Sequence, residues 1–249
     1  MMKQTIHINC DLGEGGEFDE KLMPLISACN IACGGHAGNL ETMHKTVRLA
    51  LENNVEIGAH PSYPDRANFG RNHVEMTAEK LQLSIEGQVL SLKQIVESEG
   101  GKLSHVKLHG ALYNDAAKDR NISEIVVKSL EDFGDDLRLF VPLNSQLGEL
   151  ALGRFELFHE AFADRNYEKN YGLVPRSKSH AIIEDRELVF HHLRNIYKEN
   201  KILLQDGEFL KAQADTFCVH SDTPSAVQIL QFLQRKLAAE NIYIKSKYQ

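Results

Sequence analysis

Apolar and polar positions along the 249-residue chain follow two alternating rhythms. Short apolar runs predict strands at 5–9, within 25–33, and at 55–59, 103–108, 139–141, 156–158 and 217–219. Between them lie longer stretches with a helical period. Leu40, Met43, Val47, Ala50 and Leu51 mark one helix face, with Asn39 as its N-cap. Leu81, Ile85, Val89, Leu92 and Val96 mark a longer helix. Ala226, Ile229, Leu230, Leu233 and Leu237 mark a third, with Thr223 as cap and Pro224 at its first position. These stripes read as packing surfaces without chemistry. Strand–helix alternation predicts parallel strands joined by right-handed crossovers. One exception is 201–211, which reads as a β-hairpin turning at Asp206-Gly207. The polar stretch 164–180 reads as a long functional loop. No repeat or linker interrupts the pattern, so residues 1–249 read as one domain.

The polar residues gather where the predicted strands end. Asn9, Asp11 and Glu14 follow the first, Asn30 and His36 the second, and His60 and Asp65 the third. Lys107, His109 and Tyr113 follow the fourth, Asp164 and Arg165 a later one, and His220 the last. In a closed parallel barrel all these ends open on one face, where barrel enzymes build their sites. Lys107 and His109 are two apart, as are Asn9 and Asp11, so each pair shares a strand face. If Leu108 packs outward, Lys107 and His109 point inward, and Asp11 and Glu14 are the partners that an inward lysine and histidine require. Such a cluster suits general acid–base chemistry. Cys10, Cys29, Cys33 and Cys218 read as packing residues, and His44, His180, His191 and His192 as surface or helix residues.

Composition narrows the classes. A net charge of −7 argues against a nucleic-acid partner. No apolar run approaches the ~18 residues of a membrane span, and the start of the chain, Met1-Met2-Lys3 leading into a strand, resembles no secretory leader. The cysteines form neither a zinc pattern nor a disulfide scaffold, which suggests reduced thiols in the cytoplasm. A divalent metal among the mouth histidines remains open, without an H-E-x-x-H motif to support it. A phosphate loop of the G-x-x-x-x-G-K-[ST] type is absent from the sequence.

At these same segments the chain resembles the LamB/YcsF lactam-utilisation family. The resemblance rests on Asn9-Cys10-Asp11-Leu12-Gly13-Glu14, on Asn30-Ile31-Ala32-Cys33-Gly34 with His36-Ala37-Gly38, and on Gly58-Ala59-His60-Pro61. It continues through Asp65, Phe69-Gly70-Arg71, His109-Gly110-Ala111-Leu112-Tyr113-Asn114, Glu160 with Phe162-Ala163-Asp164-Arg165-Tyr167, and Pro175-Arg176. It implies a distorted seven-stranded (β/α) barrel of the glycoside hydrolase/deacetylase type. It further implies a role as the A component of an ATP-dependent 5-oxoprolinase, opening the lactam of 5-oxoproline with B and C subunits; the missing phosphate loop places ATP largely with those partners. On that reading Asp11, His60, Lys107 and His109 are catalytic. Asn9, Glu14, Asn30, His36, Asp65, Tyr113, Asp164, Arg165 and His220 bind substrate. A metal-dependent deacetylase or amidase acting alone, and a non-catalytic substrate-presenting subunit, are the rival readings. Two positions depart from the family pattern: Leu108 stands where proline is usual, and Ser221 where glycine is usual.

Overall fold

The computed structural model describes residues 4–134, 136–223 and 225–245. The chain starts with β1 (Gln4–Ile6) and β2 (Ile8–Leu12), then α1 (Asp19–Leu22) and β3 (Ala28–Ala32). Next come α2 (Leu40–Glu52), β4 (Glu56–His60), α3 (Ala78–Ser98), β5 (Leu103–Lys107), α4 (Gly110–Lys118) and α5 (Arg120–Leu130). The second half runs β6 (Arg138–Pro142), α6 (Gln146–Ala151), β7 (Glu156–Phe162), α7 (Arg186–Glu199), β8 (Lys201–Leu203), β9 (Phe209–Lys211), β10 (Thr216–Cys218), α8 (Ala226–Ala239) and β11 (Ile242–Ile244).

Seven parallel strands close into a barrel in the order β10-β2-β3-β4-β5-β6-β7, so the parallel strands expected from strand–helix alternation are present and the seven-stranded barrel that the resemblance implies is the fold. The helical stripes bury as anticipated: Met43, Val47 and Ala50 of α2, and Leu81, Ile85, Val89, Leu92 and Val96 of α3, join the main core. Asn39 caps α2 by accepting from the Thr42 amide at 2.9 Å, and the Thr42 hydroxyl answers the Asn39 amide. Among the described residues no helix is long and apolar enough to cross a membrane.

Four expectations change. The first strand is two strands broken at His7: β1 pairs with β11 outside the barrel, while β2 extends to Leu12 and carries Asp11 within it. Strand β7 runs on to Phe162, which turns Glu160 into a barrel residue. Ser225, not Thr223, is the N-cap of α8, because the Thr223 hydroxyl is directed to Asp164 instead; Pro224 lies outside the described residues, as do Met1, Met2 and Lys3. The hairpin forms between β8 and β9, but the Gly207 amide donates to Leu204 O at 3.0 Å, so Asp206-Gly207 closes a longer turn rather than forming its centre. His192 lies in helix α7, within the surface-or-helix reading, but is buried beside Tyr167.

Candidate active site

Parallel pairing sets the floor of the site. Asp11 lies opposite Asn30, and Cys218 opposite Asn9 and Phe162, so alternate side chains of neighbouring strands meet inside the barrel. Lys107, only 1% exposed, ends β5 at the centre. Its ammonium donates to Asp11 Oδ1 at 2.9 Å, to Asn9 Oδ1 at 3.2 Å and to Cys218 Sγ at 3.1 Å, and pairs with Glu160 Oε1 at 3.0 Å. Burial would strip its proton, but Asp11, Cys218 and Glu160 outweigh that and hold the ammonium firmly charged. Asp11 is the mirror case: burial would raise it, yet His60 and Lys107 keep it well below the usual carboxylate range. Asn9 and Asn30 complete the layer, with Asn9 Nδ2 donating to Glu160 Oε1 and Thr216 Oγ1, and Asn30 Nδ2 to Asn9 Oδ1 and Asp11 Oδ1. A buried lysine with two carboxylates is tolerated only with this degree of hydrogen bonding.

Three histidines and Glu14 stand beside this layer. His60 Nδ1 donates to Lys107 O at 2.8 Å and His109 Nε2 to Phe69 O at 2.9 Å. A carbonyl only accepts, so each neutral ring turns a bare lone pair toward the other: His60 Nε2 and His109 Nδ1 are 2.9 Å apart. That contact requires one positive charge, a proton or a metal ion, between the rings. Glu14 Oε1 lies 3.4 Å from His109 Nδ1 and 2.9 Å from His36 Nε2. Burial, reinforced by Asp11, lifts Glu14 to about 7, while burial and the neighbouring His60 lower His36 to about 3. Burial and His60 also hold His109 in its neutral form. The rings of His36 and His109 stack at 3.6 Å between centroids.

This geometry depends on a close approach of two loops. Gly110 has φ +56°, and a Cβ there would lie 2.4 Å from Gly70 O. The Ala111 amide donates to that carbonyl at 2.9 Å, which locks the start of α4 onto the loop bearing Phe69 and Arg71. Phe69 itself takes a left-handed φ of +55°, and its carbonyl is the one that fixes His109.

A cleft of about 350 Å³ opens over the cluster, lined by Asp11, Glu14, Lys107, His109, Tyr113, Arg165 and His220 among others. Tyr113 is buried, and burial together with Glu160 raises its hydroxyl strongly. Asp164 lies beneath the wall and orients His220, accepting from its backbone amide at 2.9 Å and from Nδ1 at 2.9 Å. The expected residues thus divide. Asn9, Asn30, His36, His60 and Asp164 sit behind the lining in hydrogen-bonded support, Asn9, Asn30 and His60 on barrel strands and His36 and Asp164 in the buried loop starts after β3 and β7. Asp65 is elsewhere, accepting from the Asn68 amide to start a turn. Sequence reasoning gave no site role to Glu160, Arg71, Arg176 or Cys218: the strand reading stopped at 158, Arg71 and Arg176 stood only as members of family motifs, and Cys218 read as a packing residue. All four cysteines are buried, and burial raises their thiols, that of Cys33 to about 12; they are not poised nucleophiles. Ser221 is not among the residues with left-handed backbone, so serine fits where the family has glycine. Leu108 packs into the core beside the intact Lys107 and His109.

Glu14, His36, His60 and His109 offer donor atoms within 4.8 Å of one another. The donor set suits zinc or a similar ion, and the facing lone pairs of His60 and His109 leave room for its charge. The backbone bonds on the far nitrogens of these two rings resemble the outer support that orients metal-bound histidines. Asp11, Cys218 and His220 also cluster, but there the Lys107 ammonium already supplies the cation.

Residues 6–249 match the LamB/YcsF family. A protein of Pyrococcus horikoshii, named as the A component of 5-oxoprolinase, is 40% identical over 246 residues, covering 96% of this chain and 96% of the relative. The crystal structure of a lactam utilization protein from Thermus thermophilus superposes with a TM-score of 0.90 at 30% identity, over 98% of this chain and 100% of that one. A family 4 carbohydrate esterase from Streptomyces lividans shares the fold alone, with a TM-score of 0.51 at 8% identity over 98% of this chain and 92% of that one. Taken with the barrel and the order of its strand-end motifs, these likenesses mean that the chain belongs to the LamB/YcsF family.

Proposed function

We propose that this chain is the A component of an ATP-dependent 5-oxoprolinase, opening the lactam of 5-oxoproline to L-glutamate together with B and C subunits. The observation that carries the reading is the arrangement at the cleft floor: a fixed Lys107–Asp11–Glu160 charge layer beside a Glu14–His109–His60 proton-handling group. End-to-end similarity to a protein named as the A component of 5-oxoprolinase supports it. A five-membered lactam is a stabilised amide, and its hydrolysis needs an activated carbonyl, a base for water and stabilisation of the developing oxyanion. ATP activates the carbonyl by phosphorylation, and the absence of a phosphate loop from this sequence favours the B or C subunits for the main nucleotide site. Here Glu14, facing the cleft and lifted to about 7 by burial, takes the proton from water, and the His109–His60 pair beside it shares the charge. Asp11, held ionised, keeps His60 and Lys107 in place. Lys107 contributes the positive field under the carbonyl as negative charge develops.

The test is glutamate release from 5-oxoproline by this chain alone and with B and C subunits, with and without ATP. Turnover confined to the complete ATP-supplied mixture is expected. ATP hydrolysis coupled to 5-oxoproline by the isolated chain would overturn the division of labour, and no turnover by an assembled, folded mixture would overturn the substrate.

A second reading is favoured by the facing lone pairs of His60 and His109: a divalent metal held by Glu14, His60 and His109, with His36 alongside. Such an ion would supply Lewis-acid polarisation of a bound carbonyl. Metal content of untagged protein distinguishes the two. About one ion per chain, lost in a His60→Ala variant that remains folded, supports the metal; less than about a tenth of an equivalent after growth with supplemented zinc supports the shared proton.

A further inference from the structure

The cleft has an outer end whose positive charge the protein does not balance. Arg71, from the loop after β4, and Arg176, from the loop after β7, converge on one carboxylate. Arg71 Nη2 donates to Asp222 Oδ2 at 2.8 Å and Arg176 Nη1 to the same oxygen at 2.9 Å. A single carboxylate neutralises one guanidinium, and both side chains keep further N–H donors. Arg165 lines the same cleft and is only 5% exposed. It donates to Ala181 O at 3.1 Å and Val174 O at 2.7 Å, and no carboxylate lies within ion-pair distance of it among the described residues. Carbonyls satisfy its geometry without cancelling its charge, and a buried charge without a counter-ion is costly. Burial pulls its proton affinity down, with the like charge of Arg176 adding to it and Asp164 and Asp222 opposing it.

The arginine end adjoins the histidine group. The Arg71 guanidinium lies over the Phe69 ring at 5.1 Å, and Phe69 O is the acceptor that fixes His109. Phe69 therefore links the two groups, and Arg71 and His109 line the same cleft. We infer that Arg71, Arg165 and Arg176 form an oxyanion subsite for the carboxylate of the lactam acid, turning its amide toward His109 and Glu14. The inference rests on the proposed lactam-opening reading and adds the feature that selects an acidic lactam over a neutral one. Guanidinium forks match a planar carboxylate in shape and charge.

The test uses the complete A–B–C complex with 5-oxoproline and with its neutral carboxamide. Arg71→Gln and Arg176→Gln are expected to raise KM for 5-oxoproline roughly 10- to 100-fold, the loss of one charge-assisted hydrogen bond. The apparent affinity for the carboxamide, as substrate or inhibitor, should move less than about threefold. Arg120→Gln, a surface charge on α5 outside the cleft, serves as control and should move neither. Equal losses for acid and amide, or none for either, would overturn the subsite. A rise in KM for ATP with 5-oxoproline unchanged would reassign it to a phosphate group. Wild-type complex that turns over no 5-oxoproline defeats the functional reading itself, and this inference with it; an active wild type with no acid–amide split defeats the inference alone.

Discussion

The two ends of the barrel both bury charge, yet they are built differently. At the amino-terminal end Arg138 pairs with Glu56 and lies over Phe158, while His7 shares a 2.8 Å hydrogen bond with Thr216. His105 completes this layer, hydrogen-bonded to Asn30 Oδ1 at 2.8 Å and stacked on Phe140. None of these side chains lines the cleft. At the carboxyl-terminal end one lysine faces Asp11 and Glu160, with Glu14 close by, and the cleft reaches Lys107, Asp11 and Glu14. Buried charge alone therefore does not mark a site. Unequal charge reachable by solvent does, because such groups have protonation states left to change.

Removing the central cation from each end gives the largest contrast. Lys107→Met should cost about 3–5 kcal/mol of stability by stranding Asp11 and Glu160, and should lower turnover of the folded complex by more than about a thousandfold. Arg138→Met should destabilise by a similar amount, about 3–5 kcal/mol, while folded enzyme keeps kcat/KM within about threefold. Denaturant melts and kinetics of both variants check this; a dead but folded Arg138→Met would erase the distinction between the ends.

A narrower probe is His109→Asn, which removes the lone pair facing His60. Turnover should fall about 10²- to 10⁴-fold, with substrate binding by calorimetry changed far less. Binding and turnover lost in proportion would point to a substrate-presenting role instead.

Smaller again is the effect of the Asp164–His220 support. Burial would raise the Asp164 carboxyl, but His220 overrides it and holds it below its ordinary value. A depressed carboxyl stabilises the fold above the unfolded value of about 3.9, and that contribution is lost as pH falls through the folded value. Asp164→Asn should therefore cost about 1–3 kcal/mol at neutral pH. The gap from wild type should narrow below about pH 4, as measured by urea unfolding across the acid range. A gap that widens on acidification would contradict the depressed carboxyl.

The smallest expected change is Ser221→Gly. With no left-handed backbone to relieve, glycine gains nothing here and should destabilise by about 0.5 kcal/mol through the freedom it adds to the unfolded chain. A clear gain in thermal midpoint would show strain at this loop.

Much of this molecule was legible beforehand because barrel strands and helices repeat simple periods. The faces of α2 and α3 follow from apolar spacing, and the inward direction of Lys107 and His109 follows from the two-residue alternation of a strand. Strand-end clustering brought Asp11, Glu14, His36, His60 and His109 to one neighbourhood. Boundaries were less legible: β7 continues through Glu160 because its partners β6 and β10 continue alongside it, a cause that lies in other segments of the chain. Asp65 was misplaced for a related reason, since a carboxylate that starts a turn looks in sequence like one that meets a ligand.

The sequence by itself determined the alternation of strand and helix, the family, and which residue types collect at the strand ends, since these depend on local periodicity and short motifs. Only the tertiary structure decided that Glu160 joins Lys107 and that His60 and His109 face each other with bare nitrogens. It alone also brought Arg71, Arg165 and Arg176 to one end of the cleft. Those are contacts between segments tens of residues apart, and their energies depend on barrel closure, on burial and on the cancellation of charge, none of which any one segment of the chain encodes.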